Sequence, residues 1–258
     1  QSAGIFLAGY MDRIGLLPLI GLQLVMLATS GWLLRNSLGY LPESSMGRRG
    51  STWVDMMSGL KLVWHHRRLF QLMMVVAATG FLGFGLYLVA MPLLTREVYQ
   101  QGASFFASIQ FTFMLGIIIS NVIIIRLVGR FRQPGRVLLA SLLVRGLFLI
   151  IIALHPPVWL LFFLVLLWGS ASGVAMMLGR SLTHEESPQK YRARVVSVYQ
   201  LSLFGAATVG AWLSGHAIAS VGVLTAIGTL GALTVVTALV AIKFSDLWQP
   251  LPNDSREG

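Results

Sequence analysis

The sequence predicts an all-α fold, a polytopic bundle of membrane-spanning helices. Three observations support this prediction. Hydrophobic residues make up 56% of the 258 residues, charged residues make up 11%, and the mean hydropathy is +0.77. A water-soluble domain would carry about twice that charged fraction. The apolar residues also fall into seven runs near the ~20 residues that a helix needs to cross a bilayer, and the cations collect between these runs.

Each apolar run is expected to form one spanning helix. In chain order the runs cover approximately residues 14–34, 69–94, 105–128, 137–154, 157–178, 195–219 and 221–244. At a rise of about 1.5 Å per residue, each run reaches or approaches the thickness of the hydrocarbon core.

The connections between the runs alternate in charge. Sixteen of the nineteen Lys and Arg residues follow the first, third and fifth runs or lie in the tail after the seventh. Cytoplasmic loops collect Lys and Arg, so this side and the C-terminus are expected to be cytoplasmic. The exceptions are Arg13 and Arg96, in the opposite connections, and Arg145, inside a run. The net charge of +10 thus reflects membrane orientation, and we expect no nucleic-acid partner because no basic domain lies outside the membrane.

An internal repeat suggests that the chain is part of a longer protein. Residues 4–21 (GIFLAGYMDRIGLLPLIG) resemble residues 210–228 (GAWLSGHAIASVGVLTAIG) at a separation of 206 to 207 residues. The second copy reads as the end of one helix, a tight turn and a whole helix. The first copy then makes residues 1–38 the end of a preceding bundle, a helix stump followed by one span. Duplication in parallel is a known transporter plan, although short apolar matches also arise by chance.

Residues 39–68 are predicted to form a cytoplasmic linker with a surface helix. Polar residues and Pro42 at its start indicate a flexible segment. Apolar residues then recur at helical spacing from Trp53 to Trp64, which predicts an amphipathic helix on the membrane interface. Neighbouring His65 and His66 point about 100° apart on a helix, so they favour a cap on the next span over a metal site.

Small residues at intervals of four predict close helix packing. One row is Ala206, Gly210 and Ser214, and a neighbouring row is Ala207, Ala211 and Gly215. Such rows let helix backbones approach one another in a membrane. Gly80 with Gly83, and Gly169 with Gly173, are similar pairs. Packing alone explains these rows, and the alternative is that they also permit rocking between helices.

The loop before the sixth run carries the most specific motif, P-x-x-x-R-x-R-V-x-S-x-Y-Q over Pro188–Gln200, which includes Arg192 and Arg194. This motif resembles the loop between helices ten and eleven of the drug, macrolide and siderophore exporters of the major facilitator superfamily. The resemblance covers the chain from the end of helix five through helix twelve. It implies a C-terminal six-helix bundle over residues 69–244, a cytoplasmic tail over 245–258, and a bacterial cytoplasmic (inner) membrane location. The cations of the motif would bind lipid phosphates, cap the helix or only set topology.

The basic loop 126–136 (RLVGRFRQPGR) resembles a second motif of the superfamily. Gly135 and Arg136 fit its closing Gly-Arg, but Arg132 stands where the motif has an acid. In the family this acid and the basic residues form a charge network that breaks as the transporter opens inward. Without the acid, Arg132 and Arg136 fit positive-inside anchoring better than gating.

Polar residues inside the runs are the candidates for the substrate pathway, because they are costly in a membrane. Arg145 is the strongest of these candidates. The resemblance implies that helices seven, eight, ten and eleven line the cavity, and the candidates on those helices are Gln110, Asn121, Tyr87, Trp168, Ser172 and Gln200. Arg145 lies nine residues past Arg136, about 13 Å deep, and no Asp or Glu lies in the centre of any run. Its partner would be a carbonyl, Asn121, an anionic substrate or a missing helix. The resemblance places Arg145 on helix nine, outside the cavity-lining layer, which favours a structural role. Helix–helix hydrogen bonding is the alternative for the other candidates.

These residues predict a secondary active transporter that exports small amphipathic compounds, drugs or siderophore-like molecules, by alternating access. Proton coupling is expected, and His216 is the only candidate within a run for the group that carries the proton. The alternative is a carboxylate in the N-terminal half. The alternatives are an uptake permease or, if the chain is only this half, a non-transporting membrane scaffold. We expect no enzyme activity, no metal and no cofactor, because no nucleophile–base set or ligand cluster is evident. Expected partners are the substrate, membrane lipids and the N-terminal half.

Overall fold

The computed structural model describes residues 16–37, 52–127 and 133–248, and all regular structure in these ranges is helical. The predicted all-α fold is therefore confirmed. The helices are α1 (Leu16–Ser37), α2 (Thr52–His65), α3 (Arg67–Val98), α4 (Ala103–Leu127), α5 (Pro134–Ala153), α6 (Val158–Glu185), α7 (Arg192–Val221) and α8 (Val223–Phe244). Helices α3 to α8 are long and apolar enough to cross a membrane.

The predicted runs and the helices agree in number and order, but several helices are longer than their runs. Helix α6 continues to Glu185, past the predicted end at residue 178. Nothing in the intervening sequence breaks a helix before Pro188. His184 and Glu185 lie beyond the predicted end of the run, so they were expected in the connection that follows it. They lie instead in the last turn of α6, and that expectation was wrong.

Helix α3 contains two π-helical segments, Thr79–Gly85 and Leu94–Val98. Pro92 lies just before the second of these. The helix continues past the proline by changing its hydrogen-bond pattern, which is a common response to a missing N–H group. A third π segment, Leu201–Gly205, lies in α7 and contacts the Thr79–Gly85 segment of α3.

Helices α3 to α8 pack in a chain of neighbours. Helix α5 packs against both α6 and α8, α4 packs against α6, and α3 packs against α7. Two glycines show how close the contacts are. A Cβ atom on Gly210 would lie 2.2 Å from the carbonyl oxygen of Phe81, and one on Gly169 would lie 2.2 Å from that of Phe113. Only glycine lets the backbones come this near.

The buried side chains form two apolar clusters, one toward each end of the bundle. The cluster at the cation-rich end includes Leu72, Leu142 and Leu178. The cluster at the opposite end includes Leu149 and Trp168. Arg145 lies on α5 between Leu142 and Leu149, so its charge sits between the two apolar clusters.

The turn between α7 and α8 has the form predicted from the internal repeat. Gly222 adopts φ +82°, which side chains other than glycine rarely adopt. Helix α7 ends before it and α8 starts at Val223. The second copy of the repeat is thus the end of one helix, a tight turn and a whole helix. The first copy lies mostly in residues 1–15, outside the described residues.

Helix α2 forms over Thr52–His65 as the periodicity predicted. Its contact with the bundle is made near Gly59, where a Cβ atom would lie 2.9 Å from the carbonyl oxygen of Arg194. Leu60 and Trp64 are exposed, whereas Val63 is buried. The apolar residues of the predicted stripe therefore divide between the bundle and the surroundings. An exposed apolar edge suits a helix at a lipid interface.

Candidate functional site

Four of the side chains that line the centre of the bundle form an aromatic and polar cluster. The ring of Tyr87 stacks on Phe113 with centroids 4.3 Å apart and meets Trp168 edge-on at 5.3 Å. The Tyr87 hydroxyl donates a hydrogen bond to Oε1 of Gln110. Tyr87 comes from α3, Gln110 and Phe113 from α4, and Trp168 from α6, so the cluster joins three helices at one level.

Arg145 reaches this cluster from α5. Its side chain is 2% exposed and lies against Gly83 of the π segment in α3. A Cβ atom on Gly83 would be 2.9 Å from both Cζ and Nη1 of the guanidinium. The resemblance placed Arg145 on an outer helix, and the main neighbours of α5 are α6 and α8. The side chain nevertheless crosses between helices to the centre.

A cavity of about 10 Å³ lies where these groups meet. Its lining includes Tyr87, Trp168, Ser172 and Arg145 together with the hydroxyl-bearing Thr79. Four of the predicted pathway residues therefore share one small, enclosed space, with Gln110 bonded to one of them. A space of this volume holds about one water molecule. As it stands it cannot admit a drug-sized compound.

A larger cavity, about 460 Å³ and open to the outside, lies between α4 and α6 nearer the cation-rich ends of these helices. Its lining consists of Ile117, Asn121, Ile125, Met176, Met177, Arg180, Ser181 and His184. The volume falls within the range of small-molecule sites, roughly 300–1,000 Å³. The lining is mainly apolar, and its polar groups gather at the end where Arg180 and His184 lie.

Asn121 is the only predicted pathway residue in this larger cavity. Its Oδ1 atom is buried and has no hydrogen-bond partner among the described residues. Gln110 and Asn121 lie eleven residues apart on α4, and both are half-buried. The structure gives them different surroundings, since Gln110 bonds to Tyr87 whereas Asn121 faces the open cavity.

Gln200 is brought into neither cavity. It is the last residue before the π segment Leu201–Gly205, and its Oε1 atom is buried with no hydrogen-bond partner in the described part of the chain. Its position fits the contact between α3 and α7 better than a surface that a substrate could reach. Its assignment to a pathway stays a prediction from the sequence.

The cation-rich end of the bundle is held by polar contacts between elements. Arg136 donates from Nε to the carbonyl oxygen of Trp248 at 2.8 Å, and its Cζ lies 5.2 Å from the centre of the Trp248 ring. Arg67 pairs with Asp246 at 3.0 Å. These bonds attach the short turn Asp246–Trp248, which follows α8, to the starts of α5 and α3. Arg136 thus has a backbone carbonyl oxygen and an aromatic ring as its partners.

Two further contacts join other elements at this end. Arg68 pairs with Glu186 at 3.1 Å, which links the start of α3 to the end of α6. Arg194 donates from Nη1 to Oγ of Ser58 at 3.0 Å and lies over the ring of Tyr191. Arg192 is exposed. Arg132 lies outside the described residues, so the structure gives it no role.

Several cavity residues were not selected from the sequence. Met176, Arg180 and His184 continue the spacing of four that begins with Trp168 and Ser172. That periodicity was a usable signal, because residues at i and i+4 share a face of a helix. Arg180 and His184 were missed because the run was taken to end at residue 178. Within the described ranges no group of three or more His, Cys, Asp or Glu residues is placed to hold a metal ion.

Comparison with protein families gives one finding. The model described as Major Facilitator Superfamily matches residues 73–257, which is more than half of the chain. No match was found among curated proteins, and none was found among solved structures.

Proposed function

The chain belongs to the major facilitator superfamily, a family of secondary transporters, and we propose that it exports small amphipathic compounds from the bacterial cytoplasm. In this proposal the compound crosses by alternating access, with helices α3 to α8 as one of two bundles that rock about a central site. The energy comes from the proton gradient. The observation that carries the proposal is the open cavity between α4 and α6.

The cavity has the chemistry that such compounds require. Met176 and Met177 provide flexible, polarizable surface that adapts to apolar shapes. The side-chain amide of Asn121 lines the cavity and provides a hydrogen-bonding group for the compound. Arg180 and His184 can meet polar or anionic groups at the rim. An apolar body with a polar end therefore fits better than a small, fully hydrated solute.

The position of the cavity suits collection of a compound from the cytoplasm. It lies near the ends of α4 and α6 that carry Arg126 and Arg180, and the loop that follows α4 is also cation-rich. The positive-inside rule makes this end cytoplasmic. An exported compound must be collected from the cytoplasm or the inner leaflet, and the open cavity offers it an entry at that level.

Coupling to protons requires a titratable group that the transport cycle exposes in turn to each side. His216 lies in α7 with an exposed side chain, and its Nδ1 atom is 3.0 Å from the carbonyl oxygen of Trp212. This bond orients the imidazole ring. His216 is the coupling candidate that the described helices offer.

An accumulation assay tests the proposal. The complete natural reading frame is expressed in a bacterial host that lacks its main efflux pumps, and accumulation of cationic, zwitterionic and anionic amphipathic dyes is measured. We expect lower accumulation of at least one dye than in cells with an empty vector. Higher accumulation would indicate uptake instead, and unchanged accumulation of every compound with correct insertion would favour a scaffold.

A pair of variants links transport to the cavity. Ile117→Trp places a large ring in the cavity, whereas Ile118→Trp changes the neighbouring residue, which is 50% exposed on the outside of the same helix. We expect the first variant to restore dye accumulation nearly to the level of the empty vector. The second variant should transport normally. Equal transport by both variants at equal membrane abundance would show that the cavity is not the site.

A further inference from the structure

Arg145 has a charge that no described side chain neutralises. Its Nε and Nη2 atoms are buried and have no hydrogen-bond partner among the described residues. The acidic residues of the described ranges lie in the first or last turns of helices or just beyond them, at Asp55, Glu97, Glu185, Glu186 and Asp246. Two of them already pair with Arg67 and Arg68. An isolated buried guanidinium is very unfavourable, so a negative charge nearby would be strongly stabilising.

The guanidinium of Arg145 fits against α3 because residue 83 is a glycine. Gly83 removes the one side chain that would collide with Cζ and Nη1. Gly83 lies within the π segment Thr79–Gly85, and such segments are frequent at functional sites. The backbone of α3 thus forms one wall against which the guanidinium lies. Arg145 also lines the cavity of about 10 Å³.

The lining of this cavity suits an anion. The hydroxyl groups of Thr79 and Ser172 line it together with the guanidinium, and each is a hydrogen-bond donor. Trp168 and Phe113 add aromatic rings, whose edges carry positive partial charge. Because the cavity has room for about one water molecule, its occupant must be a single atom or an ion of similar size. The flexible side chain of Met176, also in the lining, can adjust to a slightly larger sphere.

We propose that this cavity binds one inorganic anion of halide size, chloride under physiological conditions, through the guanidinium of Arg145. The anion neutralises Arg145 and receives hydrogen bonds from Thr79 and Ser172. It ties α5 to α3 and α6, the helices that supply these groups. The proposal concerns occupancy of the small central cavity and does not depend on which compound the larger cavity takes, or on the direction of transport.

Thermal unfolding of the purified full-length protein tests the proposal. Melting temperature is measured in sodium gluconate, with gluconate replaced stepwise by chloride or bromide at constant ionic strength. Mass action predicts a melting temperature that rises with halide and follows a saturable binding curve. Gluconate is too large for the cavity and serves as the inert reference. Equal melting temperatures in halide and gluconate would overturn the proposal.

Variants locate the effect. Arg145→Gln should remove the halide-dependent rise, and Ser172→Ala should move its midpoint to at least several-fold higher halide concentration. Arg192→Gln is the matched control, because Arg192 is an exposed arginine far from the cavity in the sequence. This variant should keep the full halide response. Loss of the response in the Arg192 variant, or its retention in a folded Arg145→Gln protein, would overturn the assignment.

Bromide diffraction provides a readout that does not depend on any variant being folded. Crystals of the wild-type protein grown in sodium bromide should show an anomalous peak within hydrogen-bond distance of the Arg145 guanidinium. An ordered water there, with no anomalous signal in saturating bromide, would contradict the proposal.

Discussion

Gly210 and Gly215 lie five residues apart on α7 and have opposite surroundings. A Cβ atom on Gly210 would collide with the backbone of Phe81, whereas one on Gly215 would meet nothing within 4 Å. The sequence presented both glycines as members of small-residue rows and could not rank them. The distinction depends on which face of α7 meets α3, and that face is set by tertiary packing.

Replacing each glycine by valine should therefore give very different results. Gly210→Val forces α7 away from α3 and should cost about 1–3 kcal/mol or more, the usual penalty for overpacking. Gly215→Val enters open space and should leave stability nearly unchanged. Melting temperature in detergent measures both. A similar loss for the two variants would mean that α7 presents a different face to α3.

The hydrogen bond between Tyr87 and Gln110 is a second test at the scale of residues. Tyr87→Phe removes the donor and leaves the Gln110 oxygen without its partner, which should cost about 1–3 kcal/mol. Adding Gln110→Leu removes the stranded group, so the double variant should lose less than the two single losses combined. Unfolding by denaturant in mixed micelles measures the coupling. Additive losses would argue against the bond.

The sequence revealed some of the central residues and not their arrangement. Arg145 was identifiable because a lone cation inside an apolar run is rare. Its depth in the run did not show which way the side chain points. The family resemblance put its helix in the outer layer, which suggested a location away from the centre. The side chain reaches the centre because Gly83 on another helix leaves room. Such a long-range complementarity between two helices has no local pattern.

At the scale of elements, α2 is held against the bundle by the contact between Arg194 and Ser58 and by the burial of Val63. Arg194, in the first turn of α7, reaches Ser58, and the α2 backbone at Gly59 lies close to that same turn. Periodicity predicted the helix correctly because it depends on local spacing. It did not predict that a serine between the apolar positions would make the contact with α7.

Substitutions of Arg192 and Arg194, the two arginines of the motif, should show which of them holds α2 in place. Arg194→Gln should loosen α2, whereas Arg192→Gln should leave α2 in place because the Arg192 side chain is exposed. The chain contains no cysteine, so a nitroxide label at Leu60→Cys reports on α2 alone. We expect a more mobile spectrum only with Arg194→Gln. Identical spectra for both variants would show that Arg194 does not hold the helix.

Helix ends were the least predictable feature of the elements. The apolar runs located α3 to α8 in number and order, because the hydrocarbon core demands long apolar stretches. The ends depend instead on polar residues that continue the helix into the interface. His184 and Glu185 continue α6 in this way, and Pro188 follows the end of the helix. The larger cavity was missed in part because its rim lies in this extension.

At the scale of the whole molecule, the positive-inside pattern makes a prediction that labelling can check. Gln101 lies in the cation-poor turn before α4, and Gln189 lies in the cation-rich segment before α7. Both are exposed. In intact cells a membrane-impermeant maleimide should label Gln101→Cys and should reach Gln189→Cys only after permeabilisation. Labelling in the opposite pattern would invert the proposed orientation and the assignment of the open cavity to the cytoplasm.

Family membership and the helical bundle agree with the fold expected from the sequence. The direction of transport depends on something that neither spacing nor composition records, namely which compounds bind and which gradient drives them. The open cavity at the cation-rich end gives the physical reason to expect entry from the cytoplasm. Export is therefore the central claim, and it can be measured directly.

Everted membrane vesicles, which expose the cytoplasmic face, provide that measurement. Vesicles that contain the complete natural protein are given a pH gradient with the lumen acidic. A dye whose accumulation the protein lowers in cells is then added to the outside. We predict that the vesicles take up the dye while the gradient lasts and release it when an ionophore collapses the gradient. Uptake that occurs only in right-side-out vesicles, or that ignores the gradient, would contradict proton-driven export.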